Sequence, residues 1–323
     1  MLPFTLIAAA IALGGLMLPQ LIGNPYYFYA GYGVLQYVVI ATGWNILGGG
    51  AGYTNFGASA FFGGGAYMAA LLFKAFDAPL FVQILGAAAA GMLLGVITGY
   101  LTLRIQGVYF AIATVALVVM LDTVVQNTEY LGGASGLAVL AAPAPAWFGG
   151  QTQYVFCIML GLACGAVVLA RWVEVSWVGR GLRAIKASEP AAEACGVPTL
   201  KLKLFACALS GGVMAAAGAP YPTYSAYLDP VSAFNLTIGL NALAMPLIGG
   251  TRSWIGPVIG AVLLASVQQI ATVTISSEFN ILVVGVVLIA FVVAAPEGLL
   301  GLVHRSKRKL QPEFGKIDAQ TRS

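Results

Sequence analysis

The stretch LFVQILGAAAAGMLLGVITGYLTL, residues 80–103, contains no charged side chain. A helix needs about 20 consecutive apolar residues to cross the hydrocarbon core of a bilayer. Similar runs recur along the chain, separated by short polar or Pro/Gly-rich breaks. The composition is 60% hydrophobic and 8% charged, whereas soluble proteins carry about 25% charged residues. The sequence therefore predicts an integral membrane protein.

The apolar runs predict an all-α fold, a polytopic bundle of about 10 transmembrane helices, or roughly 8 to 10. An even number of spans places both termini on the same side of the membrane, and we expect that side to be the cytoplasm. The predicted spans are 2–22, 28–47, 56–73, 80–103, 108–126, 153–172, 201–221, 234–250, 254–272 and 279–298.

The basic residues test this arrangement, because Lys and Arg in short loops are retained on the cytoplasmic side during insertion. With ten spans, Lys74 is the one basic residue of the sequence that falls outside. The predicted cytoplasmic set is Arg104, Arg171, Arg180, Arg183, Lys186, Lys201, Lys203, Arg252 and the basic residues from Arg305 to Arg322. The net charge of +4 therefore reflects topology and contact with anionic lipid, and gives no sign of nucleic-acid binding.

The same pattern divides the chain into two parts. Residues 1–302 are predicted to form one transmembrane domain, which includes a long cytoplasmic loop at 173–200. Residues 303–323 are rich in basic side chains and contain no apolar run. We expect this tail to be cytoplasmic and disordered.

Several classes of function lack the residues that they need. The sequence has no G-x-x-x-x-G-K-[ST] motif, so we expect that this chain does not hydrolyse ATP itself. Its one histidine, His304, lies in the basic tail and gives no basis for a metal cluster or for histidine-based catalysis. The four cysteines show no C-x-x-C spacing and fit small helix-packing residues. We predict neither catalytic residues, nor a metal site, nor a cofactor in this chain.

A glycine-rich segment, GGGAGYTNFGASAFFGGGAY at residues 48–67, interrupts the apolar pattern. Non-helical backbone is tolerated in a membrane only where protein or a water-filled cavity satisfies it. We therefore expect a broken or re-entrant element at 48–55. Discontinuous helices of transporters place substrate-facing groups at such breaks. The segment contains four polar residues, Tyr53, Thr54, Asn55 and Ser59. They either border a substrate path or only satisfy backbone groups at a kink.

Two residues of the fifth predicted span complete the candidate substrate path. Tyr109 lies at its beginning, and Asp122 lies about one turn from its outer end. A charge at the centre of a bilayer costs on the order of 2.5 to 3.5 kcal/mol on insertion scales. Because Asp122 lies near the membrane boundary, an interfacial or helix-packing role is favoured over a place on the path.

The loop VGRGLRAIKASEPAAEACGVPTLKLK, residues 178–203, is far more polar than the rest of the chain. Within it, Ser188 suits a helix N-cap, and Glu189 and Pro190 suit a first helical turn. Gly196 is a natural residue just beyond a helix end, and Pro198 prevents continuation. The pattern predicts a cytoplasmic helix of about two turns.

So short a helix is marginal alone in water and needs a partner surface. Ala191, Ala192 and Cys195 can gather on one side, which gives a small apolar patch flanked by Glu189 and Glu193. Three basic residues precede the helix, at Arg180, Arg183 and Lys186. We expect the patch to bind a groove in a soluble subunit.

These motifs together resemble those of one family, the branched-chain amino acid ABC transporter permeases of the LivM type. The loop and the following helix carry the resemblance most clearly, in GRGLRAIKASEPAAEACGVPTLKLKLFACALSGGVMAAAGAPY at 179–221. The glycine-rich 48–67 segment shares it, and it covers the chain from about residue 35 to 302. The other motifs are RIQGVYFAIATVAL at 104–117, NTEYLGGASGL at 127–137, LIGGTRSWIGPVIGAVLL at 247–264 and PEGLLGL at 296–302.

The resemblance implies a multi-pass permease subunit of the bacterial inner membrane, which imports branched-chain or other amino acids. It also implies four partners: a second related permease, two cytoplasmic ATPase subunits that bind ATP and Mg, and a periplasmic binding protein. The family's E-x-A-A-x-x-x-G pattern maps onto Glu189, Ala191, Ala192 and Gly196. Its implied role is mechanical coupling to the ATPase.

The chain departs from the family pattern in the first glycine-rich motif. Tyr53, Asn55, Ala58 and Ser59 stand where family members usually have Gln, Ser, His and Ala. If these positions border the path, urea, short amides or small carboxylates remain alternative substrates. An ion-coupled secondary carrier is the alternative from another class, and an intramembrane enzyme would need a catalytic pair that the sequence does not offer.

Overall fold

The computed structural model describes residues 24–102, 107–139 and 148–274, with short stretches between 4 and 15, Pro145, and residues 285–286 and 298–301. Most of the predicted first span, nearly all of the tenth span and the whole tail at 303–323 lie outside the described residues. The expected positions of both termini therefore stay predictions.

The described chain is almost entirely helical, as predicted. Its helices are α1 (Pro25–Ala51), α2 (Ala58–Phe76), α3 (Leu80–Thr102), α4 (Val108–Gln126), α5 (Gln151–Val175), α6 (Trp177–Ala187), α7 (Glu189–Ala194), α8 (Thr199–Gly218), α9 (Tyr221–Ser225), α10 (Pro230–Ala233), α11 (Leu236–Gly249) and α12 (Ile255–Thr274). Short 3₁₀ turns at Glu129–Leu131 and Gly133–Ser135 precede β1 (Leu137–Ala138), which pairs antiparallel with β2 (Tyr227–Leu228).

Among the described residues, seven segments are long and apolar enough to cross a membrane. They are α2, α3, α4, α5, α8 with α9, α10 with α11, and most of α12. The all-α polytopic class is thereby confirmed, whereas the total of about ten spans stays a prediction. Helix α1 is not among these seven although it has 27 residues, because polar side chains such as Gln36 and Asn45 lower its hydropathy.

Helix α1 is nevertheless the centre of the bundle. It packs against α5, α8, α11 and α12, and it buries Trp44, Leu47 and Gly48 near its C-terminal end. Close contact elsewhere depends on small residues, which let helix backbones approach in a membrane. A Cβ atom at Gly95 of α3 would lie 2.6 Å from the backbone oxygen of Cys207 in α8. The α3–α8 pair therefore requires glycine at this position.

The described loops gather at two opposite ends of the bundle. At one end, which we call the basic end, the 52–57 loop, the 176–198 segment and the 250–254 turn lie together. At the other end, Lys74 Nζ donates to the Tyr130 backbone oxygen at 2.9 Å, and Leu137 of β1 pairs with Leu228 of β2. The described loops therefore alternate between the two ends of the bundle in the order that the sequence predicts.

The predicted break at 48–55 is misplaced. Helix α1 continues through Ala51, and its end is set by Gly52, which has a φ of 81° and donates its N–H to the Gly48 oxygen at 3.1 Å. A left-handed φ is readily adopted by glycine and costs other residues free energy. The non-helical segment is residues 52–57, a loop that joins α1 to α2. Consecutive glycines at 48–50 thus belong to the helix, where they serve packing.

Candidate functional site

Helix α6 lies across the basic end of the bundle as an amphipathic helix. Val178, Leu182 and Ile185 are buried, and their spacing of four and three residues places them on one face. The opposite face is exposed and basic. Two of its arginines turn back to the end of α5. Arg180 donates to the backbone oxygen of Val175 at 3.3 Å, and Arg183 donates to the backbone oxygen of Glu174 at 3.1 Å. Cations at a helix C-terminus complement its dipole.

Helix α7 has the start and the end that the sequence predicts. Ser188 occupies the N-cap position, and the helix begins at Glu189 with Pro190 in its first turn. At the other end Gly196 has a φ of 81°. Its N–H donates to the Glu193 oxygen at 2.9 Å, and the Val197 N–H donates to the Ala192 oxygen at 3.0 Å. This double closure is a Schellman motif, which fixes the end of the helix.

The two faces of α7 differ from the predicted arrangement. Ala192 is only 5% exposed and belongs to the main hydrophobic core, so its expected place on an exposed patch with Ala191 is wrong. A six-residue helix cannot persist alone, and it must pack one side on its own chain. Glu189 and Ala192, three residues apart, share that inward side. The exposed residues of α7 and its C-cap are Pro190, Ala191, Glu193, Ala194 and Cys195, and the spacing of Ala191, Ala194 and Cys195 places these three on one side.

An ion pair fixes α7 to the transmembrane helices. Glu189 Oε1 lies 2.5 Å from Lys203 Nζ of α8, and the two side chains are 17% and 5% exposed. Tyr53, from the 52–57 loop, donates its hydroxyl hydrogen to Glu189 Oε2 at 2.9 Å and accepts from Lys203 Nζ at 3.2 Å. We call these three residues the coupling triad. It joins α7, α8 and the α1–α2 connection at one point.

Tyr53 acts in this triad as a neutral donor. Burial raises the pKa of its phenol, so the hydroxyl keeps its proton at neutral pH. The Tyr53 ring meets Phe110 of α4 edge to face, with ring centroids 5.2 Å apart. The structure therefore assigns Tyr53 to the junction with α7, and helix α4 also touches this junction.

A second link runs from α6 to α1. Lys186 Nζ donates to the backbone oxygen of Gly49, in the last turn of α1, at 2.9 Å. The remaining predicted coupling residue, Glu193, is exposed, and its Oε1 accepts from the Thr199 hydroxyl at the start of α8 at 2.6 Å. Helices α6 and α7 are thus each tied to a helix of the bundle, α6 to α1 and α7 to α8.

The other candidate path residues are not brought together. Asn55 is buried and closes the α1–α2 turn, since its Oδ1 accepts from the Gly57 N–H at 2.7 Å and its backbone oxygen accepts from Trp44 Nε1 at 2.6 Å. Ser59 is buried in the first turn of α2. Tyr109 is 71% exposed on α4. Asp122, about 20 Å further along that helix, accepts from Gln126 Nε2 at 2.9 Å.

Lys203 is the site residue that sequence reasoning did not single out. The sequence counts it only as one more cytoplasmic charge, although it lies in the second turn of an apolar helix. An ionisable residue inside a membrane span needs a partner, because an isolated charge there costs free energy. The sequence therefore offered a signal, because a lysine in an apolar helix needs an acidic partner and Glu189 lies fourteen residues earlier.

The fold defines a class, the multi-pass membrane proteins. Residues 27–292 match the family model described as "Branched-chain amino acid transport system / permease component". The chain belongs to this family of transport subunits, as the motifs of the sequence had indicated.

Two curated relatives are similar over most of the chain. The high-affinity branched-chain amino acid transport system permease protein LivM of Escherichia coli K12 is 25% identical over 300 residues, which is 83% of this chain and 68% of that protein. The protein with the same description from Salmonella typhimurium LT2 is 24% identical over 300 residues, with the same two shares.

The contacts of the coupling triad lead to a prediction about the stability of single and double variants. Lys203→Met leaves the Glu189 carboxylate buried without its cation, and should cost about 3–5 kcal/mol of stability. Glu189→Gln/Lys203→Met together remove both charges and should recover most of this loss. Thermal unfolding in detergent measures the effect, with Lys201→Met, an exposed lysine of the same helix, as the control. A Lys203→Met variant as stable as the control would contradict the ion pair's structural role.

Asn55 separates a structural role from a role in the substrate path. Asn55→Leu removes the acceptor of the buried Gly57 N–H and should lower stability by about 1–3 kcal/mol. Asn55→Asp keeps an acceptor oxygen and should lose less. Thermal unfolding and transport are measured together on each variant. Normal stability of Asn55→Leu combined with lost transport would show that the side chain serves the path instead.

Proposed function

We propose that this chain is the permease subunit of a binding-protein-dependent ABC importer, located in the bacterial inner membrane. It forms part of the translocation path for a small polar solute, and the family supports a branched-chain amino acid. Its partners are a second related permease, two cytoplasmic ATPase subunits and a periplasmic binding protein. ATP and Mg bind the ATPase subunits, and this chain contributes no catalytic residue.

The observation that carries the proposal is the attachment of α7. The helix presents Ala191, Ala194 and Cys195 outward, while Glu189 holds its inner side on α8 and on the α1–α2 loop. Small outward side chains can enter a groove on a soluble subunit. Arg180 and Arg183 are also exposed at this end and flank the proposed contact with the ATPase.

These contacts of α6 and α7 give a route by which movement of α7 reaches the transmembrane helices. When ATP closes the ATPase pair, the groove displaces α7, and the coupling triad passes the displacement to α8 and to the α1–α2 connection. Lys186 passes it to the last turn of α1. Because α1 is the central helix, its movement shifts the helices packed on it between outward-facing and inward-facing arrangements. This is a two-state population shift driven from the nucleotide sites.

The substrate path is proposed along the faces that the described bundle leaves uncovered, where a second permease subunit would complete it. Helix α4 has the smallest buried fraction of the seven spanning segments and carries Tyr109 and Asp122. Tyr53, Asn55 and Ser59 act on this path through the turn that joins α1 and α2. Thr114 of α4 supports that turn by accepting from the Phe56 N–H at 3.1 Å.

The exposed side of α7 provides the direct test. Ala191→Trp places a bulky ring on the outward side and should overfill the groove, which costs about 1–3 kcal/mol in packed sites. ATPase co-purification and solute-stimulated ATP hydrolysis should fall about tenfold or more. The fold of the chain should survive, because Ala191 is exposed.

A matched control is the same exchange at the opposite end of the bundle. Ala134 is exposed there, and Ala134→Trp should leave ATPase association unchanged. If Ala191→Trp retains both ATPase association and stimulated hydrolysis, α7 is not the coupling element.

A further inference from the structure

A charged cleft opens at the basic end of the bundle, beside the coupling segment. It has a volume of about 390 Å³ and lies between the last turn of α1, the end of α5, helix α6 and the 250–254 turn. Its charged lining consists of three basic side chains and one acidic side chain: Arg183, Lys186, Arg252 and Glu174.

The single acid of this lining is engaged with backbone. Glu174 Oε2 accepts from the Trp254 N–H at 3.1 Å. Meanwhile the positive charges are crowded: partial burial lowers the pKa of Lys186, and the positive charge of Arg252 lowers it further. An anion in the cleft would relieve this repulsion.

Tryptophans indicate the depth of the cleft in the membrane. Trp254 lines it, and the Arg171 guanidinium lies over the Trp254 ring at 5.3 Å. Trp172 and Trp177 are 47% and 62% exposed on the neighbouring α5 and α6. Tryptophan is enriched at the level of lipid headgroups. The cleft is therefore at headgroup depth.

We propose that this cleft binds the headgroup phosphate of an anionic phospholipid from the leaflet at the basic end. Arg183 and Arg252 contact the phosphate. Basic pockets between transmembrane helices suit such headgroups. Because Lys186 links the cleft to Gly49 of α1, a bound lipid also steadies α6 against the bundle.

The test measures bound lipid directly and does not depend on the proposed transport function. The full chain in mild detergent is incubated with dioleoyl phosphatidylglycerol or dioleoyl phosphatidylcholine, and retained lipid is counted by native mass spectrometry. The wild-type chain should retain phosphatidylglycerol preferentially. One basic side chain near an anionic lipid surface strengthens lipid binding by a factor of about five, so Arg183→Gln/Arg252→Gln should reduce the preference about 25-fold.

Two variants serve as controls. Arg180→Gln/Lys201→Gln removes two exposed charges of the basic end that do not line the cleft, and it should keep the preference. Arg183→Lys/Arg252→Lys keeps the charges and should retain at least half of it, which excludes misfolding as the cause of a loss.

Three results would overturn the proposal. The first is a preference that survives Arg183→Gln/Arg252→Gln, and the second is an equal loss in Arg180→Gln/Lys201→Gln. The third is displacement of phosphatidylglycerol by millimolar inorganic phosphate, because the site would then belong to a soluble anion.

Discussion

The coordination of Lys203 is the constraint on which the basic end of this permease depends. A lysine in the second turn of an apolar helix is costly unless an acid and further donors or acceptors surround it. Glu189 supplies the charge and Tyr53 completes the cluster. Satisfying one cation therefore fixes three chain segments relative to each other: the exposed helix α7, the spanning helix α8 and the α1–α2 connection. A purely apolar junction of the same size would lack this directional specificity.

The rest of the basic end is arranged around the same junction. Helix α6 delivers the chain from α5 to α7, and its lysine at 186 reaches the last turn of the central helix α1. Its two arginines hold the end of α5, and Arg183 also borders the proposed lipid cleft. Force from a partner ATPase and stabilisation by lipid would thus enter the bundle through one segment, residues 176–198. The segment is polar because every one of these contacts requires polar side chains at a membrane surface.

Local sequence signals were sufficient to predict where the helices lie. Contacts between distant parts of the chain decide which side of each helix is buried. Helix α7 follows from its cap, its proline and Gly196, because these act within a few residues. The inward direction of Ala192 does not follow, since it depends on where α8 and α1 place the loop. The end of α1 at Gly52 was missed among consecutive glycines, because packing against neighbouring helices decides which of them remain helical. Among the candidate path residues, Tyr53 belongs to a site in which it contacts residues 136 and 150 positions away in the chain, and no local sequence pattern reveals so distant a contact.

The central claim is that the coupling triad transmits movement from α7 to the bundle. The most direct measurement is the number of solute molecules transported per ATP hydrolysed by the reconstituted importer carrying Glu189→Gln/Lys203→Met, a pair of changes that leaves no unpaired charge in the triad. The account predicts that this variant binds the ATPase and hydrolyses ATP, but transports several-fold less solute per ATP than the Lys201→Met control. An unchanged ratio would contradict it, because α7 would then transmit its movement without the triad.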